Sequence, residues 1–180
     1  MIDLTIIRPG STLLLHSAFG RLFKTYKCRP EIFIQALLDR LGSEGTLLLP
    51  LFNFGFSQGE SFDIRSTPSK MGTLTETGRN WTNAVRTAHP IYSFAAIGCN
   101  ALRFGELTNV SAYGEDSPFA LLREMNGDIA VLDLPDQNSM TFYHYVEECL
   151  KVHYRYQKKF IGEYTDWKGV TEKRSYEIFV

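Results

Sequence analysis

At 180 residues, 44% apolar and 22% charged, the chain can bury a substantial core and has the balance of an ordinary globular domain. A net charge of −1 excludes the electrostatic footprint of a nucleic-acid binder or of a protein held on an anionic membrane. Three scattered cysteines (Cys28, Cys99 and Cys149) with no C-x-x-C pair exclude a disulfide framework or zinc ribbon and point to reduced thiols. With no signal-peptide pattern and no apolar run of membrane length, the expectation is a single cytoplasmic domain.

Residues 1–10 read as an irregular lead-in ending at the turn pair Pro9-Gly10. Thr12-Leu13-Leu14-Leu15 predicts a short buried strand running into His16-Ser17-Ala18-Phe19-Gly20, a loop shaped to offer backbone N–H groups to an anion. Neither G-x-x-x-x-G-K-[ST] nor G-x-G-x-x-G occurs. Pro30 opens a helix to about Leu41, with Ile32, Phe33, Ala36, Leu37 and Leu41 on one face. Gly42 ends it, and Thr46-Leu47-Leu48-Leu49 is the next buried strand, so the start of the chain reads strand–helix–strand, an α/β sheet with a crossover helix.

Residues 51–67 interleave Phe52, Phe54, Phe56 and Phe62 with Gly and Ser, predicting a ligand lid or a hydrophobic plug. A turn at Thr67–Gly72 leads to a short helix around Leu74–Arg79. The connection holding Arg86 and His89 ends in a strand near Phe94–Gly98, and a short helix follows at 100–105. Ser117 as N-cap with Pro118 at the first position opens another helix. Ile129-Ala130-Val131-Leu132 reads as a buried strand, Asp133–Asn138 as a turn, and Ser139 or Thr141 as the cap of a helix to about Val152. The tail reads as a hairpin turning at Asp166-Trp167-Lys168-Gly169.

On the helix that begins at Ser139 or Thr141, His144 and Glu147 share a face, near the carboxyl end of a strand where open α/β sheets bind ligands. A neutral imidazole oriented by a carboxylate is what a general base requires. The other reading is a surface helix whose His and Glu flank a core face of Phe142, Tyr145 and Val146, and spacing alone does not choose. From Glu115 to Glu148 eight acidic residues face one basic residue, Arg123. That segment suits a cationic acceptor such as an amino sugar, or is a set of solvated loop charges. A metal site built on His144, Glu147, Glu148 and His153 lacks the H-E-x-x-H spacing.

Six stretches together resemble the aminoglycoside N3-acetyltransferase, or antibiotic N-acetyltransferase, family. They are Leu14-Leu15-His16-Ser17; Glu44-Gly45-Thr46-Leu47 with Pro50; Thr67-Pro68-Ser69-Lys70-Met71-Gly72; Val85-Arg86-Thr87-Ala88-His89-Pro90 with Ser93; Asp116-Ser117-Pro118; and Thr141-Phe142-Tyr143-His144-Tyr145-Val146-Glu147. The resemblance implies a three-layer α/β/α fold with a central mixed sheet. It also implies an acetyl-CoA donor, an aminoglycoside or related amino sugar as acceptor, and no metal. It casts His144 as the base and Glu147 as its orienting partner. His16, Ser17, Ala18 and Phe19 would line the donor site, with Met71, Arg86 and Ser93 as further donor-side candidates.

The chain departs from the family at Ala18, where a second serine is usual, and at Asp133, where a glycine is usual. It is also shorter than the family's usual length, so the C-terminal portion is expected to be missing, leaving a sheet edge through which copies could associate. Two competing functions follow: a coenzyme A-binding remnant without catalysis, and acetylation of an amino sugar in polysaccharide or secondary metabolism rather than antibiotic resistance.

Overall fold

The computed structural model describes residues 2–135 and 139–180, so the second half of the turn expected at Asp133–Asn138, residues 136–138, lies outside the described residues. Two apolar runs form neighbouring parallel strands, β1 (Thr12–Ser17) and β2 (Thr46–Pro50), in register Thr12 to Thr46. The chain crosses between them through helices α1 (Phe19–Tyr26) and α2 (Pro30–Leu41). After β2, Gly55–Gln58 makes one 3-10 turn, and the two-residue strand β3 (Phe62–Asp63) and helix α3 (Thr73–Arg79) follow. Strands β4 (Val85–Arg86) and β5 (Phe94–Gly98) extend the sheet antiparallel beyond β2. Helices α4 (Ala101–Gly105) and α5 (Pro118–Glu124) lead to β6 (Asp128–Leu132), which returns parallel to the far side of β1. The strand order is β4-β5-β2-β1-β6, a mixed sheet.

Side chains alternate across a strand, and here the alternation builds the layers. Leu13, Leu15, Leu47, Leu49, Ala95 and Ile97 point to one face and pack on Phe19, Leu22, Phe33, Ile34, Leu37, Leu41 and Leu74 of α1, α2 and α3. Leu14, Leu48, Phe94 and Ala96 point to the other and pack on Ala101, Phe104, Phe119, Leu122 and Tyr145 of α4, α5 and α6 (Phe142–Cys149). The three-layer α/β/α arrangement with a central mixed sheet is thus the observed one. Each of these buried Leu and Phe side chains contributes about 1.5–3 kcal/mol by leaving water.

The C-terminal hairpin forms as expected: β7 (Gln157–Thr165) and β8 (Thr171–Phe179) pair antiparallel, and Asp166 Oδ1 accepts the amides of Lys168 and Val170 in the turn. It takes β3 as a third strand in a separate sheet, and Tyr164, Tyr176, Ile178 and Phe179 join the core containing Phe94 and Phe119. The aromatic loop after β2 is a plug: Phe52, Phe56 and Phe62 are buried in that core and only Phe54 is exposed.

Two expectations change. The stretch from Phe19 onward is not a loop but helix α1, whose Phe19 and Leu22 are buried. The helix carrying His144 stops at Cys149 rather than near Val152, because Lys151 adopts a left-handed φ of 48° and turns the chain. No helix among the described residues is long and apolar enough to cross a membrane.

Gly98, where β5 ends, has φ +128°, and a Cβ there would lie 2.2 Å from the Gly45 carbonyl oxygen. Backbone on both sides leaves nothing flexible to yield. Gly98→Ala is therefore expected to cost at least about 1–3 kcal/mol in urea denaturation. An unchanged midpoint would show that the β2–β5 edge relaxes freely.

Candidate active site

The sheet changes direction at β1: β2 lies on one side and is reached through α1 and α2, whereas β6 lies on the other and is reached only after β5, α4 and α5. Ligands of open α/β sheets bind at such a switch point, outside the carboxyl ends of the strands. Here those ends are Ser17 of β1 and its register partner Leu132 of β6. The first residues of α1 follow one, and the segment leading to α6 follows the other.

His144 sits in the first turn of α6, and its Nδ1 is 2.8 Å from Glu147 Oε2. The Tyr154 hydroxyl donates to Glu147 Oε1 at 3.1 Å, and Arg155 Nε lies 2.8 Å from Oε2. Burial pushes the Glu147 carboxyl upward, but the contacts with His144, Arg155 and Tyr154 outweigh it and hold the group below its usual range. An ionised Glu147 fixes the His144 proton on Nδ1 and leaves Nε2 as the acceptor. The His144 side chain is 32% exposed, so an incoming molecule can reach it. The His144 ring packs 5.2 Å from Tyr113, which in turn contacts Tyr92 and Phe119. Phe142 and Tyr145 join this core, but Val146 is exposed, so the helix carries an apolar face and an open polar face together.

On the other side of the site, His16 is buried at the end of β1 with no hydrogen-bond partner for Nε2 among the described residues, and burial lowers its pKa to about 4. Ser17 and Ala18 are half-buried, and the Ala18 amide is committed to the Leu132 carbonyl at 3.0 Å. The amides free of intrahelical partners are those of the first turn of α1, Phe19 and Gly20. Phe19, Gly20 and Phe23 with Arg29, Pro30, Glu31 and Thr73 line a cavity of about 440 Å³. Glu31 and Thr73 also border a larger one, about 810 Å³, against α3.

Met71 is exposed in the turn before α3, where its amide donates to Ser69 Oγ at 3.1 Å and the next residue, Gly72, takes φ 115°. Arg86 and Ser93 touch: Arg86 Nε donates to Ser93 Oγ at 3.1 Å, and both are buried. The Arg86 guanidinium also donates to the carbonyls of Thr67 and Ile64 and lies over the Phe62 ring, and burial lowers its pKa to about 10. Together with Asn53 Nδ2, which donates to the Pro68 carbonyl, it fixes the turn that presents Met71. Arg86 and Ser93 therefore stand beneath the turn that carries Met71 rather than on its surface.

Four of the eight acidic residues of this segment meet arginines from elsewhere in the chain. Asp128 pairs with Arg8, Glu124 with Arg103, Asp133 with Arg21 and Glu147 with Arg155. Asp133 holds φ 56°, the conformation a glycine would take most easily, and its pairing with Arg21 ties the end of β6 to α1. Glu148 accepts from Ser111 Oγ and Gln157 Nε2, and burial raises its carboxyl. Among the described residues no three His, Cys, Asp or Glu side chains are placed to hold a metal. The sequence did not single out Tyr113, Tyr154 or Arg155 for the site. The last two lie past the end of α6, where no helical spacing links them to Glu147.

A model of the family described as aminoglycoside 3-N-acetyltransferase matches residues 14–179. Aminoglycoside N(3)-acetyltransferase IV of a Salmonella species is 30% identical over 151 residues, covering 82% of this chain and 56% of its own. The apoenzyme structure of aminoglycoside acetyltransferase AAC(3)-IVa superposes with a TM-score of 0.72 at 28% identity, covering 96% of this chain and 64% of that one. The structure of AAC-IIIb in binary complex with CoASH has a TM-score of 0.81 at 24% identity, covering 97% and 71%, a likeness of fold. The chain spans between 56% and 61% of the length of the curated relatives it matches.

Proposed function

The chain belongs to the aminoglycoside 3-N-acetyltransferase family, and on that premise we propose that it transfers acetyl from acetyl-CoA to an amino group of an aminoglycoside or related amino sugar. The observation that carries the reading is the His144–Glu147 contact of 2.8 Å on an accessible helix face at the sheet's switch point. Acetyl-CoA supplies an activated acyl carbon for an amine to attack; the work left to the protein is to position the reactants and remove a proton.

An amine is mostly protonated at neutral pH and attacks only as the free base. His144 Nε2, with Nδ1 held by Glu147, takes that proton directly or through one water. The first-turn amides of α1 are the donors suited to a carbonyl oxygen. The cavities bordered by Phe19, Arg29, Glu31 and Thr73 provide room for an extended donor, and Arg29 provides a cation on its rim. The free thiols of Cys28, Cys99 and Cys149 fit a reducing cytoplasm, the compartment we assign.

The test is release of coenzyme A thiol from acetyl-CoA in the presence of a panel of aminoglycosides and simpler amino sugars. Acceptor-dependent release is expected. Stabilisation against heat by coenzyme A without release from any acceptor would overturn the transferase reading in favour of a binding remnant.

A further inference from the structure

His144 and Arg155 converge on a single oxygen. Glu147 Oε2 lies 2.8 Å from His144 Nδ1 and 2.8 Å from Arg155 Nε, while Tyr154 occupies Oε1. The Arg155 side chain is 25% exposed and Glu147 20%, so solvent screens this cluster only in part. The Arg155 Nε–H is not aimed along the line to Oε2 and finds no other acceptor among the described residues, so the contact is one of charge rather than a directed hydrogen bond.

The backbone fixes the arginine there. Lys151 turns the chain back after α6, and Tyr156 pairs with Val180 through two 2.9 Å hydrogen bonds, one in each direction. The guanidinium is thereby anchored by the second sheet, not by the helix that carries the base.

We infer that Arg155 is a positioning residue of the proton-transfer pair: its guanidinium, set against the same carboxylate oxygen as His144 Nδ1, shares the charge of Glu147, so that the carboxylate orients the ring without holding an imidazolium too tightly. A carboxylate alone beside a histidine favours the charged ring, whereas a carboxylate already matched by a guanidinium orients the ring with little net field. Among the described residues the ring packed against His144 is that of Tyr113, from the loop before α5, while Tyr154, on the segment after α6, bonds Glu147; neither carries a charge near neutrality. Glu148, next along the helix, is turned to Ser111 and Gln157. This inference rests on the reading of His144 as the base.

The experiment compares the full-length wild type with Arg155→Gln and Arg155→Lys. The proton NMR titration of the His144 ring is followed without substrates, and the pH profile of kcat/KM with the best acceptor. In Arg155→Gln the midpoint of the ring titration and the acid limb of the profile are both expected to move up by about half a pH unit or more. Arg155→Lys should restore both. Arg155→Met, which keeps the aliphatic stem, replaces the Gln variant if that does not fold. A ring midpoint that stays at the wild-type value in the neutral variants overturns the inference, whatever happens to the rate. A shifted midpoint in a protein that transfers no acetyl leaves the effect of Arg155 standing and removes the transferase reading instead.

Discussion

Replacing His144 with alanine is expected to lower kcat for acetyl transfer by roughly 10²–10⁴-fold, the range over which a positioned general base acts. The Michaelis constant for acetyl-CoA should hardly change. The cavity we propose for the donor is lined from α1, α2 and the start of α3, which pack on the face of the sheet opposite α6. Thermal stability should change little, because the ring is 32% exposed and Glu147, which loses its contact with Nδ1, keeps Arg155 and Tyr154. The loss should shrink in acid, where a base that already carries a proton cannot take one from the amine. A variant that turns over at the wild-type rate with a competent acceptor would falsify the assignment of His144 as base.

Mild acid should destabilise the fold well before carboxylates protonate. His16 and His89 are both buried, and burial lowers their pKa values to about 4 and about 3. The geometry of His89 requires the neutral ring: Nδ1 accepts the amides of Ile91 and Tyr92, and Nε2 donates to the Glu177 carbonyl. In the unfolded chain each ring takes up a proton below about pH 6.5. Stability is therefore fully present above that pH. It is lost as the pH falls from 6.5 toward 4 for His16 and toward 3 for His89, because only the unfolded state binds the protons. Each histidine costs about 1.4 kcal/mol per pH unit in that window, or about 4 kcal/mol for the two together at pH 5. Urea melts at pH 7.5 and pH 5.0 should show that difference; equal midpoints would mean that neither ring is held neutral.

The layers were legible because Leu13, Leu14 and Leu15, and again Leu47, Leu48 and Leu49, leave no polar face. A strand with no solvent side has to sit inside a sheet covered on both faces. Helix α5 was legible from its chemistry: Ser117 Oγ accepts the Ala120 amide at 3.3 Å and Pro118 fills the first turn. Helix α1 was missed because its N-cap position is Ala18, which has no side-chain acceptor to announce a start. Phe19, Leu22, Phe23 and Tyr26 did carry helical spacing. The His144–Glu147 pair was readable because i, i+3 spacing is local. Arg155 was not, since its place beside Glu147 depends on Tyr156 pairing with Val180 at the far end of the hairpin. The partners of the acidic segment were hidden for the same reason: Arg8, Arg21 and Arg103 come from other parts of the chain.

The sheet keeps its two apolar cores apart, with Leu14 and Leu48 serving one and Leu13, Leu15, Leu47 and Leu49 the other. Substitutions in the two cores have no shared partners, so their costs should add rather than couple. On the proposed reading the donor-side helices stand on one core and the base-bearing helix on the other. A lineage of such proteins could then revise acceptor preference through the α4–α6 layer, one tolerated change at a time, without disturbing the packing behind the donor. Only the carboxyl ends of β1 and β6, tied across by Arg21 and Asp133, would have to change in concert.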